Sequence, residues 1–343
     1  MKKILVIIIV LLIGYLILLD FNKPSFAASA QEKVQKWRWV GSVPKGLVYT
    51  GWWEEMVKEM VKKSGGRLQI DALHLGQHPY KGGEMLSVIR DGLSQMGESQ
   101  GVYVSGEDPF MTAMDLPFLI DNLEVATRIK NRWIKELVNP YLETKWKQRI
   151  IASWLITGEG IHGSKLLSDF TTLKGSKIRV WSKETSDLVT AIGATPVTIS
   201  SSELYPSLEK KVIDGLLTSI FVMHDFKMWE VAKYSTWWDF AFMPSYTAVN
   251  LDAFNKLPKD MQNMLMEVGN RYQDKIQQQL LDYNYKTTCE GLRLYGTTVT
   301  GISPTFRAEI RNKCTPIWDQ WLKRTGDIGH KFMQIVNEET KGK

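Results

Sequence analysis

KIRVWSKETSDLVTAIGATPVTI, residues 177–199, decides the fold. KIRVW (177–181) reads as a strand, SKETSDLVTAIG (182–193) as a helix and TPVTI (195–199) as a second strand, before the helical stretch SSSELYPSLEKKV (200–212). Strand, helix, strand is the rhythm of a parallel α/β sheet, whose ligand crevice lies at the carboxyl ends of its strands. Working upstream, IIASWLI (150–156) is a strand that opens this unit.

The same rhythm stands nearer the N-terminus. KWRWVGSV (36–43) alternates as a strand does, and the segment Tyr49 to Lys63 sets Trp53, Met56, Val57, Met60 and Val61 on one helical face. SGGR stops that helix, LQIDAL (68–73) is the next strand, EMLSVIRDGL (84–93) a helix, and SQMGES (94–99) a strand entering a loop. Two such units in a mature chain of a little over 300 residues predict two α/β lobes, since one core seldom serves that length. Downstream, Pro258 suits a helix start, and a helix of ~25 residues from Lys259 covers ~37 Å, enough to brace both lobes. From Pro304 onward the chain is again helical. The expected division is residues 31–156 with about 245–285 in lobe I, and 157–244 with about 286–343 in lobe II.

Residues 1–30 read as an export signal, with Lys2 and Lys3, an apolar run from Ile4 to Leu19 and the small residues AASA at 27–30. The run is shorter than the ~20 residues a spanning helix needs, so cleavage after Ala30 is expected, with an uncleaved anchor as the alternative. No second such run occurs downstream, so the body is expected to be soluble and periplasmic, with transport left to a membrane partner. The formal charge of +6 owes +2 to Lys2, Lys3, Lys23 and Asp20, and the remaining +4 is too dispersed for nucleic-acid binding. Cys289 and Cys314 are the two cysteines, to be read either as a disulfide or as two buried thiols. They lack CxxC spacing, so no zinc or redox cofactor is expected.

KSGGRLQIDALHLGQ (63–77) with EMLSVIRDGLSQM (84–96), LKGSKIRVW (173–181) with AIGATPVTISSSELYPSLEKKVIDGLLTS (191–219), and AVNLDAFNKLPKDMQNML (248–265) together resemble the solute receptors of tripartite ATP-independent periplasmic (TRAP) transporters. The resemblance spans nearly the whole mature chain, and its most specific part runs from KGSKIRV through GATPV and SELY to VIDG. It implies a two-lobed, type II periplasmic-binding-protein-like fold with a central cleft, a two-component membrane permease as partner and an ion gradient as energy source. It further implies that Arg179, the arginine of KIRV, grips a ligand carboxylate in a bidentate salt bridge. A guanidinium's planar fork of donors suits that task.

The departures from the family pattern bear on the substrate. Many members carry a second arginine twenty residues before the first, where this chain has Glu159. Glu159 repels an anionic substituent and attracts an amine; the competing reading has it pair with Arg179 or Lys165 in an empty cleft. The family's frequent asparagine after VIDG is here Thr218, followed by Ser219. In YSTWWDFAF the position of a ligand-contacting histidine falls on Phe240, with Trp237 and Trp238 before it, and Trp181 adjoins Arg179. These tryptophans among a total of thirteen suggest a ring-bearing ligand. Gln100 and Tyr103, in the loop GESQGVYV, are further candidate contacts.

Two enzyme signals are weighed against this. Gly97, Ser99 and Gly101 match the G-x-S-x-G nucleophile elbow, but VYVSGEDPF after it has no helical period, and no acid evidently orients His162, His224 or His330 as a base. His74 and His78 stand four apart in what reads as a loop, which argues against a metal pair. The expected function is a receptor for a small organic carboxylate, with a ligand-presenting sensor protein as the runner-up and a serine hydrolase using Ser99 as the least favoured.

Overall fold

The computed structural model describes residues 34–341; the export-signal reading lies outside the described residues. Eleven strands are present among them: β1 (Gln35–Pro44), β2 (Leu68–Leu75), β3 (Met96–Gln100), β4 (Gln148–Ile156), β5 (Glu159–Gly163), β6 (Lys177–Val180), β7 (Thr195–Thr198), β8 (Gly215–Ser219), β9 (Tyr234–Trp237), β10 (Met243–Asn250) and β11 (Thr298–Gly301). They form two sheets, β2-β1-β3-β10-β4 and β11-β9-β5-β8-β6-β7.

The stretch 177–199 folds as its pattern dictates. β6 and β7 run parallel, with Arg179 opposite Val197, and the helix Lys183–Ala191 joins them. Ser182 starts that helix by accepting from the Thr185 N–H at 3.2 Å, satisfying an amide that has no intrahelical partner. In the other sheet β1 and β3 are parallel. β10 then enters from far along the chain, antiparallel to both β3 and β4, so that each sheet is mixed. Two short segments carry the chain between sheets: Thr157 and Gly158 between β4 and β5, and residues 238–242 between β9 and β10.

The long helix Lys259–Tyr295 has 37 residues, ~55 Å, rather than the ~25 expected from the sequence. Its amphipathic pattern does not break until Gly296, whose φ of 61° takes the left-handed conformation that ends a helix. Gly269 lets it lie on the first sheet, because a Cβ there would stand 2.0 Å from the Ile151 carbonyl oxygen. Farther along, Tyr283 donates to Asp225 at 2.7 Å and Asn284 to the Thr157 carbonyl at 3.1 Å, so the helix touches both sheets' surroundings and one of the crossovers. It braces both lobes, and reaches the second by Tyr283, its twenty-fifth residue.

His74 is the last-but-one residue of β2 and is buried, not in a solvated loop as its neighbours suggested. Its Nε2 is 2.9 Å from Glu54 Oε1 and its ring packs against Trp53 and Trp39. Cys289 is exposed and Cys314 buried, and both are free thiols, so neither the disulfide nor a buried pair forms. Their helices, Lys259–Tyr295 and Pro304–Thr325, place the two sulfurs in different surroundings. No helix among the described residues is long and apolar enough to cross a membrane.

Candidate functional site

A cavity lies where strand ends of the two sheets face each other. The first sheet contributes Gln100 from the end of β3, Ile156 from the end of β4 and Met243 from the start of β10. The second contributes Glu159 from the start of β5, Arg179 from β6, and Thr218 and Ser219 from the end of β8. Leu47 and Tyr49, at the head of the helix Val48–Lys63, and Tyr103 close the first side; Trp181, Ser201 and Phe221 close the second. The mixed apolar and polar lining suits a small organic molecule.

Arg179 is 4 % exposed. Its Nε donates to the Ile199 carbonyl at 3.0 Å and its Nη1 to the Leu217 carbonyl at 3.2 Å, which fixes the plane of the guanidinium. Of its five N–H groups, the other three have no acceptor among the described residues. The guanidinium carbon stands 5.2 Å over the Trp181 ring, a cation–π contact that also holds the group in place. Burial pulls its pKa down, opposed by Tyr103 and Glu159 nearby. The group is a preformed cationic fork whose main-chain partners are neutral.

Glu159 is fully buried. Ser219, its register partner across the β5–β8 ladder, donates to Glu159 Oε1, while Oε2 has no partner. Burial pushes its pKa up to about 8, aided by Asp239 and opposed by the Ser219 hydrogen bond and by Arg179. The competing reading, in which Glu159 pairs with Arg179 or Lys165, does not hold: Lys165 lies 3.7 Å from Asp214, and Glu159 bonds to neither base.

Behind Thr218, His162 is fully buried, its Nδ1 2.8 Å from Ser235 Oγ and its Nε2 3.1 Å from the Thr218 carbonyl. Burial drives its pKa down to about 4, so the neutral ring donates to that carbonyl and accepts from the serine. His162 therefore steadies the end of β8 rather than acting as a base. Gln100 donates to the Tyr49 hydroxyl at 3.0 Å, linking β3 to the first helix inside the cavity wall.

Six of the eight residues picked from the sequence line this cavity: Arg179, Glu159, Thr218, Trp181, Tyr103 and Gln100. Phe240 and Trp238 do not. Phe240 is 1 % exposed and packs between Phe118 and Trp181; Trp238 is fully buried against Phe118 and Phe306. Residues 238–242 cross between sheets, so their apolar side chains are claimed by the core and not by a ligand. Nine of the thirteen tryptophans are buried and Trp181 alone lines the cavity, which removes the high tryptophan count as an argument for a ring-bearing ligand. Tyr49, Ser219, Ser201 and Phe221 are wall residues that sequence reasoning misses as contacts; only Ser219, next to Thr218 at the end of a strand, carries a local signal.

The G-x-S-x-G match forms no nucleophile elbow. Ser99 is buried inside β3, opposite Tyr246 of β10, and the strand leads into the short 3₁₀ turn Val104–Gly106 rather than into an α-helix. Among the described residues no histidine bonds to it.

The family model described as bacterial extracellular solute-binding protein, family 7, matches residues 42–325. A 2,3-diketo-L-gulonate-binding periplasmic protein of Escherichia coli is 27 % identical over 208 residues, 58 % of this chain and 63 % of that relative, so the match spans just under two thirds of its length. An extracytoplasmic solute receptor of Bordetella pertussis that binds pyroglutamic acid superposes with a TM-score of 0.80 at 22 % identity, covering 89 % of this chain and all of that one. A TRAP periplasmic solute-binding protein of Desulfovibrio salexigens with bound orotic acid gives 0.77 at 20 % identity, covering 89 % and 98 %.

Proposed function

The chain belongs to family 7 of the bacterial extracellular solute-binding proteins, receptors and not enzymes, and from that premise we propose that it captures a small organic carboxylate on Arg179 and delivers it to a TRAP permease. The observation that carries the ligand reading is the Arg179 guanidinium, buried, oriented by two main-chain carbonyls and left with three N–H donors that no acceptor among the described residues takes. A cation so placed has lost its water and gains most from an anion whose two oxygens match its fork. That pyroglutamate, orotate and diketogulonate, each a small carboxylate, are named for similar proteins supports the same class.

The ligand enters between the lobes, its carboxylate meets Arg179, and its polar substituents face Glu159, Thr218 and Ser219. First-lobe residues Tyr49, Gln100 and Tyr103 close over it, and exclusion of water strengthens the charged pair. The lobes divide at residues 156 and 157, as the short crossover after β4 supports, with about 245–285 returning to the first lobe; of the stretch 286–343 expected in the second, the helix Asp327–Lys341 packs on the first, Phe332 against Trp133 and Glu339 on Arg128. The chain is exported to the periplasm with its signal removed after Ala30, as the sequence of the first thirty residues supports.

A thermal-shift screen of residues 31–343 against pyroglutamate, orotate, aldonates, keto acids and amino acids tests this. A ligand at a hundredfold excess over its Kd adds ~2.7 kcal/mol to native stability, which reads as a clear rise in Tm. The expected result is a shift with at least one carboxylate that Arg179→Ala abolishes. An unchanged shift in Arg179→Ala removes the arginine's role.

A further inference from the structure

Glu159 presents a problem that the carboxylate reading does not solve. It sits in the same cavity as Arg179, fully buried, yet takes one hydrogen bond from Ser219 and leaves Oε2 bare. An ionised carboxylate out of water needs several donors or a cation in contact, and an oxygen without either is strongly disfavoured. The groups within electrostatic reach come from every element around it. Arg179 on β6 favours the anion; Asp239 in the 238–242 crossover, Asp115 at the end of the 3₁₀ helix Pro109–Asp115, and Tyr103 after β3 oppose it. Asp115 is itself buried with neither carboxyl oxygen bonded. Two carboxyls near Glu159 against one guanidinium already held by carbonyls leave the proton as its cheapest partner.

We infer that Glu159 carries a proton in the ligand-free cavity and gives it up to solvent when a ligand brings a cationic nitrogen, so that the receptor selects zwitterionic carboxylates and releases a proton as it binds them. The inference rests on the assignment of the ligand carboxylate to Arg179. The exchange balances: the Glu159 carboxylic acid loses its proton to the buffer, the carboxylate so formed accepts a hydrogen bond from the ligand ammonium, and the ligand carboxylate pairs with Arg179. The cavity then holds two opposed ion pairs, and its net charge is lower than that of the empty cavity by the one proton released. The upward pKa of Glu159, to about 8, agrees with a site that is mostly protonated at neutral pH. Ser219 keeps its role throughout, donating to Oε1 in either state.

The test has an arm without ligand and an arm with one. In the first, denaturant unfolding of wild type and Glu159→Gln is followed from about pH 5 to about pH 8. A carboxyl that keeps its proton when folded and loses it when unfolded weakens the fold as pH rises, and glutamine does not. The stability of Glu159→Gln relative to wild type is expected to climb across that range; a flat difference overturns the protonated state. In the second arm, isothermal titration at pH 7 in two buffers of different ionisation enthalpy uses L-proline, whose ring nitrogen is cationic, and L-pyroglutamate, whose ring nitrogen is not. Proline is expected to release roughly one proton per site and pyroglutamate none, with the release lost in Glu159→Gln. Proline that binds with no proton release, or tight pyroglutamate binding with none of proline, overturns the exchange. Failure of the receptor reading looks different: no carboxylate gives heat, or Arg179→Ala binds as well as wild type, while the ligand-free arm still decides the state of Glu159.

Discussion

Glu98 and Glu159 are both fully buried carboxyls on inner strands, one in each sheet, and they differ in how many donors the protein gives them. Glu98 Oε2 accepts from the Ser42 N–H at 3.0 Å and the Ser42 hydroxyl at 2.7 Å, and its Oε1 from Ser245 at 2.8 Å. Those bonds tie β1, β3 and β10 together, and Glu98 does not line the cavity. Glu159 has Ser219 alone, and it faces the space where a ligand sits. Burial raises both, Glu98 to about 7 and Glu159 to about 8. The difference separates a carboxyl whose work is inside the protein from one whose second oxygen is left for something else.

The largest effect is expected where the cavity's cation is removed. Arg179→Ala should lower affinity for the bound carboxylate by about thirtyfold or more, since truncating one side of a desolvated charge pair costs on the order of 2–5 kcal/mol; isothermal titration reads it directly. Next comes Glu98→Ala, which strands the Ser42 and Ser245 donors in the core and should cost ~3 kcal/mol in urea unfolding. The matching Glu159→Ala strands one hydroxyl and should cost much less, and equal losses would erase the contrast.

The pH dependence sharpens the same comparison. Each group has a folded pKa above its unfolded value, so each binds more protons when folded, and its contribution falls as pH rises from about 4.5 until the folded pKa is reached. For Glu98 the fall ends near pH 7, and for Glu159 near pH 8, at a slope of at most roughly 1.4 kcal/mol per pH unit for each group. Between about pH 7 and about pH 8, Glu159→Gln should flatten the decline in stability, whereas Glu98→Gln should not. The smallest effect is at Trp181: Trp181→Leu removes the ring under Arg179 and should weaken ligand binding a few-fold, as an exposed to partly buried cation–π contact of ~1 kcal/mol predicts. Trp238→Leu, in the core, should lower Tm and leave affinity alone.

Much of the fold was legible because its signals are local. The run 177–199 contains a strand, a capped helix and a strand in sequence, and nothing distant is needed to form them. Arg179 was legible for a different reason, through a motif resemblance, and the structure puts it in the cavity wall. Phe240 and Trp238 were misplaced because counting along a chain gives a position but no direction. In a crossover between sheets, a shift of one residue turns a side chain from the cleft to the core. The length of the helix ending at Tyr295 was underestimated although Gly296, its stop signal, was in plain sight. Glu159 was found by its spacing from Arg179, but its partner was not, since Ser219 lies sixty residues on and meets it only across an antiparallel ladder.

By itself the sequence determined β1 to β4, β6 and β7, six of the eleven strands among the described residues, the recurrence of two α/β units, and the presence of a cation on the strand KIRV, because periodicity, turn residues and motif spacing act over a few residues. Tertiary structure alone decided that β10, starting 143 positions beyond the end of β3, inserts between β3 and β4, that Ser219 reaches Glu159, and that the second oxygen of that carboxyl has no partner among the described residues. Those outcomes depend on which distant groups share a desolvated space, and hydrogen-bond supply in such a space is set by packing, which no local pattern encodes.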